Sequence, residues 1–330
     1  MRKANWLVGL AALAALLWGG YWYLGTLGLR AALDDIQRPA DGTASGSVSA
    51  ESYTISGFPN RFDITLNQPV LQDGPVTWSS PFLQIFALTY RPHHIIAVSA
   101  NEQVLHLGGT TLHLSTEDMR ASLVMQPTRR LLLDRFSLVA QRPVLRFEGG
   151  HHADAARAAL RLIDPASNRY EGVVEIETLF PDQALMDVLD PDRLLPRRFD
   201  VLRLDAEITT DAALDLDRVI APPARADGTL TLTGARVAFD GVDLQARGRV
   251  RLDAPQGPEG EITLVITGWA AFSDRLGASG LVEPQMMTLI DRSARSVMSA
   301  EDPDRLEMPL RVTGGMVRMG PVELFSLPGF

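Results

Sequence analysis

Six histidines are the residues best suited to acid–base or metal chemistry in this chain. His93 and His94 are adjacent. On an extended backbone neighbours point to opposite faces, so the two do not converge on one ion. His106 and His113 flank Gly108-Gly109, a hairpin signal because glycine tolerates positive φ. Counting outward pairs Leu107 with Thr110, His106 with Thr111 and Val104 with His113, and the two histidines are expected on opposite faces. His151, His152 and Asp154 are close in sequence at an expected helix start. A zinc site wants three or four ligands in fixed geometry, so these pairs read as surface or packing residues and no metal site is expected. Arginine makes bidentate contacts with phosphate. That makes Arg91, with His93 and His94 after Pro92, a candidate for an anionic lipid headgroup; the alternative is a turn that starts a strand.

Nucleophilic and cofactor chemistry have no motif. There is no Gly-x-Ser-x-Gly elbow, no phosphate-cradling glycine loop before a helix and no His-Glu-x-x-His. Acidic pairs such as Asp34-Asp35 and Asp215/Asp217 read as solvated faces of an acidic chain. The absence of cysteine removes disulfides, thiol catalysis and cysteine metal sites together. The expectation is a protein that is not an enzyme and carries no cofactor, with an exported hydrolase as the remaining enzymatic reading.

What would position any site begins with Ala4–Leu29, an uncharged stretch behind Arg2 and Lys3. A membrane span needs roughly 20 mostly apolar residues, and Trp6–Leu24 meets that need. The basic flank predicts a cytoplasmic N-terminus and an inner-membrane, single-pass topology with the body in the periplasm. Trp18, Tyr21, Trp22 and Tyr23 read as an interfacial aromatic belt. A cleaved secretory signal and a buried core helix are the competing readings. Without Arg2 and Lys3 the net charge of −9 becomes −11, and Lys3 is the only lysine. Nucleic acid is therefore not an expected partner, nor is flat adsorption on an anionic membrane. An exported body without disulfides must be held by its core, which about 300 residues can supply.

The expected architecture is mainly β: an N-terminal transmembrane helix, then an antiparallel curled sheet or sandwich with a few short inserted helices. Residues 1–29 form the cytoplasmic stub and anchor. Residues 30–50 form a juxtamembrane helix, ended by Arg38-Pro39, and a tether. Residues 51–150 are a first β-meander, in which Phe62, Ile64 and Leu66 alternate with polar residues. Residues 151–197 are a helical insertion with one strand: an alanine-rich helix over Asp154–Ile163 and another over Asp182–Asp190. Residues 198–330 are a second meander with one helix over Pro284–Met298, where Met286, Met287 and Met298 serve helix-to-sheet packing or an adaptable apolar surface. Here Val242, Leu244, Ala246, Val250 and Leu252 point one way, and Ile262, Leu264 and Ile266 repeat the pattern. A strand with one apolar face needs a cover. These eight residues are the candidate lining of a trough for lipid tails; the alternative is an ordinary packed core.

Gly57-Phe58-Pro59-Asn60-Arg61-Phe62-Asp63, Trp78 with Pro81, and Tyr90-Arg91-Pro92-His93-His94 resemble an uncharacterised bacterial envelope family, domain of unknown function 2125. Leu232-Thr233-Gly234, Gly241-Val242-Asp243-Leu244, Gly248, Gly268-Trp269, Leu310–Gly315 and Gly320-Pro321 also resemble AsmA-like envelope proteins at the level of pattern. The first family has no activity to carry over. The second implies an N-terminal anchor and a curled sheet that handles lipid, although two meanders of ~100 residues make a module or short cup and not a bridge. The functional expectation is a membrane-anchored periplasmic module that binds lipid or acyl chains or supports envelope maintenance. The alternative is a ligand-free structural or adaptor protein docking another envelope protein.

Overall fold

The computed structural model describes residues 2–36, 47–147, 149–182, 186, 196–215, 218, 228–278, 284–298, 302, 304–319 and 322–326. A helix α1 (Arg2–Ile36) leads into strands β1 (Ser47–Ser49), β2 (Ser52–Ser56), β3 (Arg61–Asn67), β4 (Val70–Asp73), β5 (Val76–Ser79), β6 (Phe82–Leu88) and β7 (Arg91–Ser99). Strands β8 (Glu102–Leu107), β9 (Thr110–Ser115), β10 (Asp118–Met125), β11 (Leu133–Gln141), β12 (Val144–Phe147), β13 (Gly149–Asp164) and β14 (Arg169–Phe180) follow. The last third holds β15 (Phe199–Thr209), β16 (Thr229–Phe239), β17 (Val242–Arg251), β18 (Glu259–Thr267), helices α2 (Trp269–Ala278) and α3 (Pro284–Val297), then β19 (Arg305–Thr313), β20 (Met316–Met319) and β21 (Val322–Ser326).

All strands belong to one antiparallel sheet. Its N-terminal half is forked. One branch pairs β2, β3, β6, β7, β10 and β11; the other pairs β1, β4, β5, β8, β9 and β12. The chain alternates between branches because each long strand is broken at the same level. Proline has no N–H for the ladder, and Pro69, Pro81 and Pro143 stand at three of the breaks. Gln68 and Arg142 take positive φ beside two of them. Hydrogen bonds such as Gln68 N–H to Pro81 O and Ala153 N–H to Pro143 O carry the pairing across the crease. The fork closes on β13, whose 16 residues pair with β12 at one end and β11 at the other. From there β13 to β21 is an unbroken meander.

Two expectations change here. The alanine-rich run 154–163 is a strand, not a helix. Alanine favours helix intrinsically, but propensity is a weak prior that tertiary pairing overrides. The run also satisfies a period of two: Arg157 and Arg161 face Glu175, Glu177 and Glu171, while Ala156, Ala158, Leu160 and Leu162 point the other way. A second helix, α2, starts at Trp269 directly behind Gly268, which was not expected. The helix expected over 182–190 lies mostly outside the described residues, and the tether at 37–46 lies outside them too. Helix α3 matches the expected 284–298 closely.

The polar face is laced with ion pairs. Arg157 reaches Glu175 and Glu177, Arg203 reaches Glu175 and Asp205, and Arg161, Arg169, Arg247 and Arg251 pair with Glu171, Glu207, Glu307 and Glu259. Exposed pairs stabilise little, at most about 1 kcal/mol each. Their consequence is architectural: this face is content in water, so the sheet needs a cover on one side only.

Helix α1 is continuous through residue 36. Its second half lies along β2 and β3. The Trp18 indole donates to Pro59 O, Tyr21 Oη to Thr89 O and the Trp22 indole to Arg61 O. Tyr53 Oη donates to Asp34, and this bond, with the negative charge, raises the phenol above its ordinary pKa. The aromatic cluster is thus attached to the sheet as well as ending the apolar run. Among the described residues no helix is long and apolar enough to cross a membrane; the side chains at 1–9 and 11, which begin the apolar run, lie outside them. Gly25 sets the closeness of the contact, because a Cβ there would lie 2.6 Å from the buried Phe62 ring. Gly25→Val is expected to destabilise the helix–sheet contact by about 2 kcal/mol, the usual cost of overpacking, read as a lower melting temperature of the full-length protein in detergent.

Candidate functional site: an apolar trough on one face of the sheet

The register aligns apolar side chains into rows that run across the strands. The middle row reads Ile55, Ile64, Ile85, Ala97, Ala121, Leu138, Ala158, Val174, Leu204, Ala235, Ala246, Leu264 and Met308, each directly opposite the next. Thirteen strands contribute. At about 4.8 Å per strand the row measures on the order of 60 Å along the sheet. On one side of it lies a parallel row with Phe136, Leu160, Gly172, Ala206, Leu232, Gly248, Ile262 and Leu310. On the other lies Ala140, Ala156, Ile176, Leu202, Val237, Leu244, Ile266 and Leu306.

A one-residue slip would turn a strand's apolar side into water. The bulge at Thr233-Gly234 prevents this. Leu232 faces Ala206 and Gly248, Ala235 faces Leu204 and Ala246, and the extra residue is absorbed between them. The Leu232-Thr233-Gly234 motif is therefore a device that keeps one face apolar across β16.

Both ends of this face are covered. At the N-terminal end α1 covers Phe62, and the Trp22 and Phe62 rings are stacked. At the C-terminal end α2 and α3 cover Leu244, Ile266, Leu306 and Met308 with Trp269, Phe272, Ala294 and Met298. One margin is closed by Leu214, whose N–H is received by the buried Tyr170 Oη. Burial raises the Tyr170 pKa above its ordinary value, partly opposed by the Leu214 N–H. Between the covers the face is open: Val174 is 46 % and Leu204 39 % exposed, and Leu138, Ala158, Ala235 and Val237 are half-buried. Among the described residues nothing lies over this central stretch.

The eight expected lining residues divide accordingly. Val242, Val250 and Ile266 are fully buried. Val250 packs with Leu310, Val312 and Val317, and half-buried Leu252, Ile262 and Leu264 pack against that cluster. Leu244 belongs to the cluster under α2 and α3, and Ala246 is half-buried in the middle row. They share the apolar face, but most of them form its closed C-terminal end. The open stretch is carried by Leu138, Val174, Leu204 and their row neighbours. The period-two pattern marked Leu204 as apolar; which part of the face stays uncovered depends on where three helices land.

Arg91 stands exposed at the start of β7, next to the turn at Thr89-Tyr90. His93 and His94 follow it on β7, and the His94 ring contacts Ser122 Oγ at 3.2 Å. His106 and His113 have the expected pairing, opposite Thr111 and Val104, but not the expected separation: paired residues share a face and so do Val104 and His106, so the two histidines lie diagonally on one exposed face. His151 Nδ1 accepts the Asp182 N–H, and His152 stacks on Phe180. No group of three metal-ligating side chains is found among the described residues.

The helical cover is electrostatically tied. Trp269 donates to Asp291, which also pairs with Arg295 at 2.8 Å. These partners hold the Asp291 carboxyl below its ordinary pKa, the Arg295 bond most and the indole bond next. Because the folded pKa is depressed, the contribution is present above the unfolded value of 3.8 and is lost as pH falls through the folded one. Acidification below pH 4 is expected to loosen α3 from α2, seen as a shift in tryptophan emission that Asp291→Asn shows already at neutral pH.

A mainly antiparallel sheet with one apolar face, covered by helices at both ends of that face, thus defines the molecule. The family model described as an uncharacterized protein conserved in bacteria (DUF2125) matches residues 22–328, and the chain belongs to that family. No curated protein and no solved structure matches it. None of these comparisons shows the AsmA-like likeness expected from the glycine-turn units.

Proposed function

We propose that this protein is a membrane-anchored periplasmic module that holds lipid acyl chains along the apolar face of its sheet. The observation that carries this reading is the continuous apolar row that stays open at Val174 and Leu204. A monomeric protein rarely leaves a contiguous apolar stretch in water without a use for it, and here the opposite face is densely paired in charge. The site offers an acyl chain apolar contact over many strands and no catalytic group, which suits holding a chain and not cleaving it. Supporting the address are the uncharged run Trp6–Leu24 behind Arg2 and Lys3, and the exposed Leu10, Leu13, Leu16, Leu17 and Leu24 on α1. Organic extraction of the purified full-length protein, followed by mass spectrometry, should return phospholipid beyond that in a matched detergent blank. Protein free of lipid, and unable to take up a fluorescent phospholipid, would sink the proposal in favour of an adaptor whose apolar face takes a protein.

A further inference from the structure

We propose that the end of the sheet carrying the turns 57–60, 89–91 and 126–132 is a docking rim for an anionic phospholipid bilayer. Three turns from neighbouring strand pairs meet there. Thr89 N–H bonds Asn60 O, and His94 pairs with Val124, which places the β7 start beside the turn after β10. Two large aromatic rings stand out from this end: Phe58 is 63 % and Tyr90 61 % exposed. Most of the surface of these two rings is left in water by the fold.

Three arginines without an ion-pair partner among the described residues gather in the same place. The strand arginines are mostly engaged by carboxylates, as the ion-pair ladder shows. Arg91, Arg129 and Arg130 are exposed and have no ion-pair partner among the described residues. Aromatic rings interleaved with unpaired arginines are the composition that favours the headgroup level, where rings sit half-immersed and each cation gains from anionic lipid. The whole chain is acidic, so an attraction of this kind needs such a local concentration.

Helix α1 fixes the orientation. Trp18, Tyr21 and Trp22 bond to Pro59, Thr89 and Arg61, the backbone of two of these turns, and Phe58 packs edge-on against Trp22. Residues 25 and 34 lie farther along β3 and β2, so the helix before residue 18 projects past this end of the sheet. The strands then stand on the bilayer, with the Phe62 end of β3, buried under Trp22 of α1, nearest the lipid. This rests on the anchor reading above and adds to it the contact by which the body meets the membrane.

The chain has no cysteine, so each introduced cysteine is the sole label site. The full-length protein is placed in nanodiscs of phosphatidylethanolamine and phosphatidylglycerol. Nitroxides are attached at Leu13→Cys, Phe58→Cys, Tyr90→Cys and, at the opposite sheet end, Thr111→Cys. Collisions with oxygen, which concentrates in lipid, are compared with those of a water-soluble nickel chelate. Oxygen should dominate at 13, 58 and 90, and the chelate at 111. Chelate dominance at 58 and 90 with oxygen dominance at 13 overturns the rim and leaves the anchor standing; chelate dominance at 13 overturns both. Arg129→Glu with Arg130→Glu should shift position 90 toward the chelate, as should phosphatidylcholine in place of phosphatidylglycerol. No shift in either case removes the arginines from the proposal.

Discussion

Leu204→Asp should leave the protein folded and empty its trough. Leu204 stands in the uncovered part of the middle row, between Val174 and Ala235. A carboxylate at a 39 % exposed site keeps access to water, so the loss of apolar contact costs about 1 kcal/mol, within the ordinary range for a partly exposed position. The same carboxylate lies where an acyl chain would run. Bound phospholipid per protein should fall at least about tenfold, the equivalent of about 1.4 kcal/mol. The check is phosphate or mass-spectrometric quantification beside a circular dichroism spectrum and melting curve close to those of the parent. Val174→Asp should behave in the same way.

Val250→Asp should do the opposite. Val250 is 2 % exposed and sits with Leu310, Val312 and Val317. No cation faces it inside that cluster, and an unpaired buried charge is among the few single changes that cost more than about 4 kcal/mol. A domain is stable by only about 5–15 kcal/mol, so soluble, folded protein should largely disappear. Val250→Ala, which leaves a cavity without a charge, should cost about 2 kcal/mol and retain lipid. The contrast between positions 204 and 250 separates an open trough from a packed core, although both residues belong to the same apolar face.

How far residue order reveals this molecule varies by element. The run Val242–Asp253 alternates without interruption, and β17 takes up Val242–Arg251 of it. The hairpin at Gly108-Gly109 has the expected register down to Val104 opposite His113, because two glycines at positive φ fix the turn and the turn fixes the pairing. Residues 154–163 are ambiguous by nature. Small alanines with arginines at spacing four satisfy both periods, and the decision comes from β11 and β14 on either side. The crease left a sign in Pro69, Pro81 and Pro143, but a proline that ends a strand and one that kinks it look alike in sequence.

The candidate site was legible as a face and not as a place. Alternation identifies which residues share the apolar side of each strand. Alignment of the rows across thirteen strands needs the bulge at Thr233-Gly234, a matter of pairing. The boundary between closed and open stretches is set by α1, α2 and α3, whose contacts span long separations, as when Trp22 reaches Arg61 or Asp304 O receives the Trp269 N–H. The helix α2 has a short, modestly amphipathic sequence, and its role as a cover depends on Trp269 bonding to Asp291 of α3.

The central claim is that lipid lies along the uncovered middle row. A photo-crosslinking residue at position 204 of the full-length protein, irradiated in cells, tests it most directly. Phospholipid should be covalently attached at 204 and also at 174, and absent at the wet-face position 205. Cross-links from 204 to a single protein, with no lipid adduct at 204 or 174, would contradict it.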